Sequence, residues 1–136
     1  MQHDPRRERV VVVADLGTTR RHLSRSLFDS RVDVFTHADV SDLLDFAAWA
    51  EPAVIFLGLA NPAANLAALH ALRTLPALKD CAIAYLAPPP APADAPPAAA
   101  TGIDERLGVA PTAGELQRLV ERHVRRRAPQ RNGTRP

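Results

Sequence analysis

The sequence predicts an α/β fold, a three-layer doubly wound sandwich around a five-stranded parallel sheet. Three observations carry this expectation. Short apolar runs and helical patterns alternate five times along the chain, and the links between them are short. Right-handed crossovers then place helices on both faces of the sheet. At 136 residues the chain is sized for one domain with a proper core. The expected organisation is a flexible segment over 1–8, the folded domain over 9–126 and a disordered basic tail over 127–136.

The elements follow in order. Arg9 to Ala14 is a β-branched run bounded by charge, which reads as a central strand buried on both faces. From Thr18 the pattern turns helical, with Thr19, Leu23 and Leu27 on one side and Arg20, Arg21 and Arg25 away from it. Ser24 and Ser26 fall on the exposed side of that helix. Val32 to Phe35 alternates as a short strand. Asp39 is then placed to cap a helix with Val40, Leu43, Leu44 and Ala47 inward, and Glu51 and Pro52 stop it. Trp49, near its end, reads as covering the edge of the core, with a contact residue as the alternative.

Ala53 to Leu57 is the third strand. Pro62 stands at a first helical position, and Leu66, Leu69, Leu72 and Arg73 carry an alanine-rich helix that Pro76 ends. Cys81 to Leu86 is a buried strand whose cysteine acts as a small hydrophobe, with no redox role. Ala87 to Thr101 then holds six prolines and no helical periodicity, which excludes an ordinary helix. Glu105 to Val109 is a weak short strand. Thr112, Ala113, Gly114 and Glu115 form a capping box ahead of Leu116, Leu119, Val120 and Val124.

The net charge of +2 hides an asymmetry. Seven arginines lie between Arg118 and Pro136 against Glu121 alone, a local charge of +6, while residues 1–9 carry +1 and the rest −5. An acidic body with a basic tail matters more to a partner than the total, because charges act over about a Debye length of ~8 Å. The five histidines are scattered, there is no cysteine cluster, and no glycine-rich phosphate loop or nucleophile elbow is present. No metal, cofactor or catalytic group is therefore expected, and residual enzymatic activity is the weakest of the functional readings. No segment has the length and continuous apolarity of a membrane span, and no leader pattern opens the chain, so a cytoplasmic protein without membrane insertion is expected.

Residues 52–62 consist of an apolar strand, a short loop at its carboxyl end and a proline opening a helix, with Gly58 in the loop. The run Val11 to Asp15, the pair Arg20 and Arg21, and the stretch Leu72 to Asp80 add further pieces in order. From Val10 to Arg126 the chain resembles a response-regulator receiver domain of bacterial two-component signalling, of the chemotaxis-receiver type. The resemblance implies a flavodoxin-like receiver fold with the fourth helix replaced or shortened by the proline-rich segment.

A working receiver of this kind needs two acids for magnesium, an acceptor aspartate, a hydroxyl and a lysine. Carried over position by position, Ala14 replaces the first acid and Asp15 keeps the second. Gly58 replaces the acceptor, Leu86 falls at the hydroxyl position, and Ala110 takes the lysine position. Four of five are lost. Asp15 is left as a loop carboxylate able to accept backbone N–H bonds near the first helix.

The resemblance thus implies a degenerate receiver: a noncatalytic, phosphorylation-independent regulatory module acting through protein contacts. A signalling protein such as a histidine kinase or another regulator is the implied partner, and a second copy of the chain is a further candidate. Pro88, Pro89, Pro90, Pro92, Pro96 and Pro97 form a stiff segment suited to partner contact. The alternative reading is sensing of cyclic di-GMP or another anion by Arg118, Arg122, Arg125, Arg126 and Arg127, since arginine forks suit phosphates. Nucleic acid is disfavoured, because no aromatic residue interleaves the arginines and the body is acidic.

Overall fold

A computed structural model describes residues 8–28, 31–86, 103–108 and 111–133, with side chains described as far as Arg126. Five parallel strands, β1 (Glu8–Val13), β2 (Val32–His37), β3 (Val54–Leu57), β4 (Ala82–Leu86) and β5 (Glu105–Leu107), form one sheet in the order β2-β1-β3-β4-β5. The described helices are α1 (Gly17–Ser26), α2 (Leu43–Ala50), α3 (Pro62–Arg73) and α4 (Ala113–Gly133), with a 3-10 turn at Pro76–Leu78. The expected doubly wound, three-layer architecture is the observed one. The middle position belongs to β3, with β1 an internal strand beside it.

Strand alternation divides the core into two halves. Val10, Val12, Ala14 and Phe56 point to the side covered by Leu23 of α1, by Leu27 just after it, and by Leu116, Leu119 and Val120 of α4. Val11, Val13, Ile55 and Leu57 point to the other side, covered by Leu43 and Ala47 of α2 and by Ala68, Leu69 and Leu72 of α3. Continuous apolar runs with no polar face are what a strand buried on both sides requires. Burying each such side chain contributes about 1.5–3 kcal/mol.

Several local expectations change in the folded chain. Asp39 does not cap α2, which begins at Leu43. Its Oδ1 instead accepts from the Ser41 backbone N–H at 3.0 Å and the Ser41 hydroxyl at 2.5 Å, closing a local turn, so Val40 and Leu44 remain exposed. The Ser41 hydroxyl, then its N–H, hold the Asp39 carboxyl below its ordinary value. Glu51 ends α2 in the left-handed region at φ 47°. Ser26 is buried rather than solvated, because α4 packs over it and Gln117 donates to its carbonyl at 2.8 Å. Leu66 stays exposed on α3. Trp49 does not close the core edge: it is 65% exposed, with the Arg9 guanidinium 4.7 Å from its ring centre.

The capping box forms as expected. Thr112 N–H donates to Glu115 Oε1 at 3.0 Å, and Glu115 N–H donates to Thr112 Oγ1 at 3.1 Å. The Thr112 N–H bond, with help from the Thr112 side chain, holds the Glu115 carboxyl below its ordinary value of 4.5. A carboxyl depressed in the folded state contributes its stabilisation in full above that ordinary value and loses it as pH falls further. The protection factors of the first α4 amides, measured relative to unstructured exchange at the same pH, should therefore fall in acid. Glu115→Gln should remove most of this acid dependence, and Thr112→Ala should cost about 1 kcal/mol at neutral pH.

The backbone remains helical to Gly133, past the boundary placed at Arg126; a proline in a helix removes one internal hydrogen bond, and here Pro129 does not end α4. The proline-rich segment, residues 87–101, lies outside the described residues. Among the described residues no helix is long and apolar enough to cross a membrane.

Candidate functional site

In a doubly wound sheet the crevice for ligands opens where the strand order reverses, at the carboxyl ends of the strands. Here that point lies between β1 and β3. Ala14 and Asp15 follow β1 and Gly58 follows β3, so the sequence-assigned positions do converge there. Leu86 closes β4 beside Gly58, because Leu57 pairs with Tyr85 and Gly58 and Leu86 are the next residues along each chain. Ala110 lies outside the described residues.

Leu86 decides what this crevice can hold. A β-carbon built on Gly58 would stand 2.7 Å from Leu86 Cδ1 and 3.0 Å from Leu86 Cβ. The Leu86 side chain is itself buried in the half of the core that contains Phe56 and Ala84. The place of a β-carbon at position 58 is thus taken by hydrocarbon from the next strand. Glycine at 58 and leucine at 86 are complementary in shape as well as deficient in chemistry.

The polar groups around the crevice are already engaged. Both Asp15 oxygens accept from the Ala60 backbone N–H, at 3.2 and 3.0 Å, so the carboxylate ties the β1 and β3 loops together and does not cap α1. Arg20, expected to face away from the core, folds back and donates to the Ala14 carbonyl at 2.6 Å. Asn65, buried in α3, accepts from Leu59 N–H at 2.9 Å and donates to Leu59 O at 2.7 Å. Asn61 caps α3 by accepting from Ala63 N–H at 2.9 Å. Asn65 carries no motif in the sequence; its placement one turn after a capping asparagine was the only available signal.

These residues do not fit the magnesium ion that the fold family implies. Among the described residues one carboxylate, already hydrogen-bonded, is the only acid at the crevice, and the Arg20 guanidinium places a fixed positive charge on the carbonyl at the first acid position. A hard divalent cation needs several oxygen ligands and is repelled by such a charge. Among the described residues no three His, Cys, Asp or Glu side chains converge anywhere.

The arginine candidates lie along α4. Arg118, Arg122 and Arg125 line a shallow open groove together with Glu121. Arg122 bonds Glu105 at 2.6 Å, and Arg125 lies 3.5 Å from Glu121 with both side chains largely exposed. Glu105 also meets His123, buried on the inner side of α4, at 3.0 Å. Sequence reasoning missed this clasp between β5 and α4. It likewise missed Asp104, whose Oδ2 accepts from Ile83 N–H at 2.8 Å and from Arg73 at 2.6 Å, anchoring the approach to β5 on β4. Arg126 is exposed, and the Arg127 side chain lies outside the described set.

No protein-family model and no curated protein sequence matches the chain. Solved structures do. The signal receiver domain of a Vibrio parahaemolyticus protein described as a Luxo repressor aligns over 96% of this chain and 99% of its own, at 18% identity and a TM-score of 0.81. The chemotaxis protein CheY4 of Vibrio cholerae aligns over 85% and 98%, at 24% identity and a TM-score of 0.74. The receiver domain of a Pseudomonas aeruginosa sensor histidine kinase, solved with magnesium coordinated in its active-site cleft, aligns over 87% and 98%, at 18% identity and a TM-score of 0.75. At these identities the likeness establishes the fold: this chain has the receiver fold.

Proposed function

We propose that the chain is a noncatalytic, phosphorylation-independent regulatory module of bacterial two-component signalling that acts through protein contacts. The observation that supports this most is the seating of Leu86 against Gly58, which removes the acceptor and fills its place. Phosphoryl transfer depends on a positioned nucleophile and on charge that neutralises the transferring group. Among the described residues neither is available at this crevice: Asp15 is committed to Ala60, and Arg20 to the Ala14 carbonyl. A histidine kinase or another regulator is the proposed kind of partner, bound in one fixed state rather than switched. The organisation proposed with it is a single domain whose first strand opens at Glu8.

The cyclic dinucleotide reading draws on the groove of Arg118, Arg122 and Arg125. It requires Arg122 to leave Glu105 and Arg125 to leave Glu121, so it stands second.

Incubation with acetyl phosphate, or with beryllofluoride and magnesium, should leave the amide NMR spectrum unchanged. A saturable shift centred on Asp15 and Gly58 would overturn the phosphorylation-independent reading.

A further inference from the structure

The fold converts the charge asymmetry of the sequence into two opposed faces. On one side of the sheet α1 and α4 lie together, joined by the Gln117 bond to Ser26 O and by His22 Nε2 meeting Pro111 O at 2.7 Å. Among the described residues their outer surface presents Arg21, Arg25, Arg118, Arg122, Arg125 and Arg126 against Glu115 and Glu121, with Glu105 of β5 paired to Arg122. On the other side, the chain from Asp39 through α2 to Glu51 holds four carboxylates and no basic residue of its own, with the Arg9 guanidinium of β1 set against Trp49 at its end. Both faces also carry exposed apolar side chains: Phe28, 79% exposed, beside α1, and Trp49 with Val40 and Leu44 on and before α2.

We propose that this chain associates with itself head to tail, the basic α1–α4 face of one copy docking on the acidic α2 face of the next. Charge complementarity favours a second copy as the occupant. The sheet lies between the two faces, so they cannot neutralise each other within one molecule, whereas every further copy brings a matching face at equal concentration. Because the two surfaces differ and lie on opposite sides, the contact is heterologous and does not close as a symmetric pair. Exposed charges steer and orient such an encounter, and Trp49 and Phe28 supply apolar surface that the charges alone would not. The inference is independent of the phosphorylation reading, since both faces would remain on a chain that accepted a phosphoryl group.

Sedimentation velocity on the full chain tests it. The average mass should rise with protein concentration at about 20 mM salt, and the association should weaken roughly tenfold or more at about 300 mM, where the Debye length falls well below 10 Å. Arg21→Gln/Arg25→Gln/Arg118→Gln disables one face, and Asp42→Asn/Asp45→Asn/Leu44→Ser the other. Each variant should keep the helical circular dichroism of the wild type and sediment as a monomer. Their equimolar mixture retains one intact pair of faces and should give a 1:1 dimer that grows no further. A wild-type chain that stays monomeric at low salt overturns the proposal. So does a mixture that fails to dimerise, or a variant that associates as well as the wild type.

Discussion

Gly58→Asp is expected to destabilise the fold instead of creating a phospho-acceptor. The new β-carbon would meet Leu86 Cδ1 at 2.7 Å and Leu86 Cβ at 3.0 Å, and the carboxylate would extend toward a hydrocarbon wall. Overpacking of this kind costs about 2–3 kcal/mol, which for a domain of this length lowers the melting temperature by roughly 6–12 °C. The origin of the cost is testable by a double-mutant cycle. Leu86→Ala alone should be destabilising because it opens a cavity, yet in the Gly58→Asp background it should cost much less, since it also relieves the clash. The doubly substituted protein should still fail to hold beryllofluoride. A melting temperature unchanged by Gly58→Asp would show that Leu86 moves aside freely and that the filled crevice is no barrier to an acceptor.

The second large effect is expected at Asn65. Its amide satisfies both backbone groups of Leu59 inside the protein, so Asn65→Ala leaves a buried N–H and a buried carbonyl without partners. Unmaking two such bonds should cost about 2–4 kcal/mol in urea unfolding. Asn65→Asp adds a pH signature. The carboxylate can still accept from Leu59 N–H, but its second oxygen faces Leu59 O and repels it. Its carboxyl pKa should therefore be raised in the folded state, and the variant should become more stable as pH falls through that raised value, opposite to the behaviour of Glu115. A loss below ~1 kcal/mol in Asn65→Ala would mean that the β3–α3 loop is held by other contacts.

Elements with a local cause were legible before folding. Pro62 opened α3, Thr112 and Glu115 capped α4, and the uninterrupted runs around Val10 to Val13 and Val54 to Leu57 became strands buried on both faces. The misplacements share one physical reason, competition between local and distant partners. Asp39 had the position of a cap but found Ser41 first, which moved the start of α2 to Leu43. Ser26 had a polar side chain on a polar helix face, but α4 arrived over it. Arg20 was counted with the solvated arginines, yet the Ala14 carbonyl at the end of β1 lies within its reach.

By itself the sequence determined which groups the crevice lacks: glycine at 58, alanine at 14 and leucine at 86 carry neither acid nor hydroxyl in any conformation. It also determined the order of strands and helices, because turn chemistry and hydrophobic period act over a few residues. Only the tertiary structure decided that Leu86 fills the place above Gly58, since that depends on β4 lying beside β3 in the register that pairs Leu57 with Tyr85. The same holds for the Glu105 clasp on Arg122 and His123 and for the separation of basic and acidic helices onto opposite faces. Residue identity belongs to single positions, whereas these contacts join residues 17 to 28 or more positions apart. They exist only once the sheet has brought those residues together.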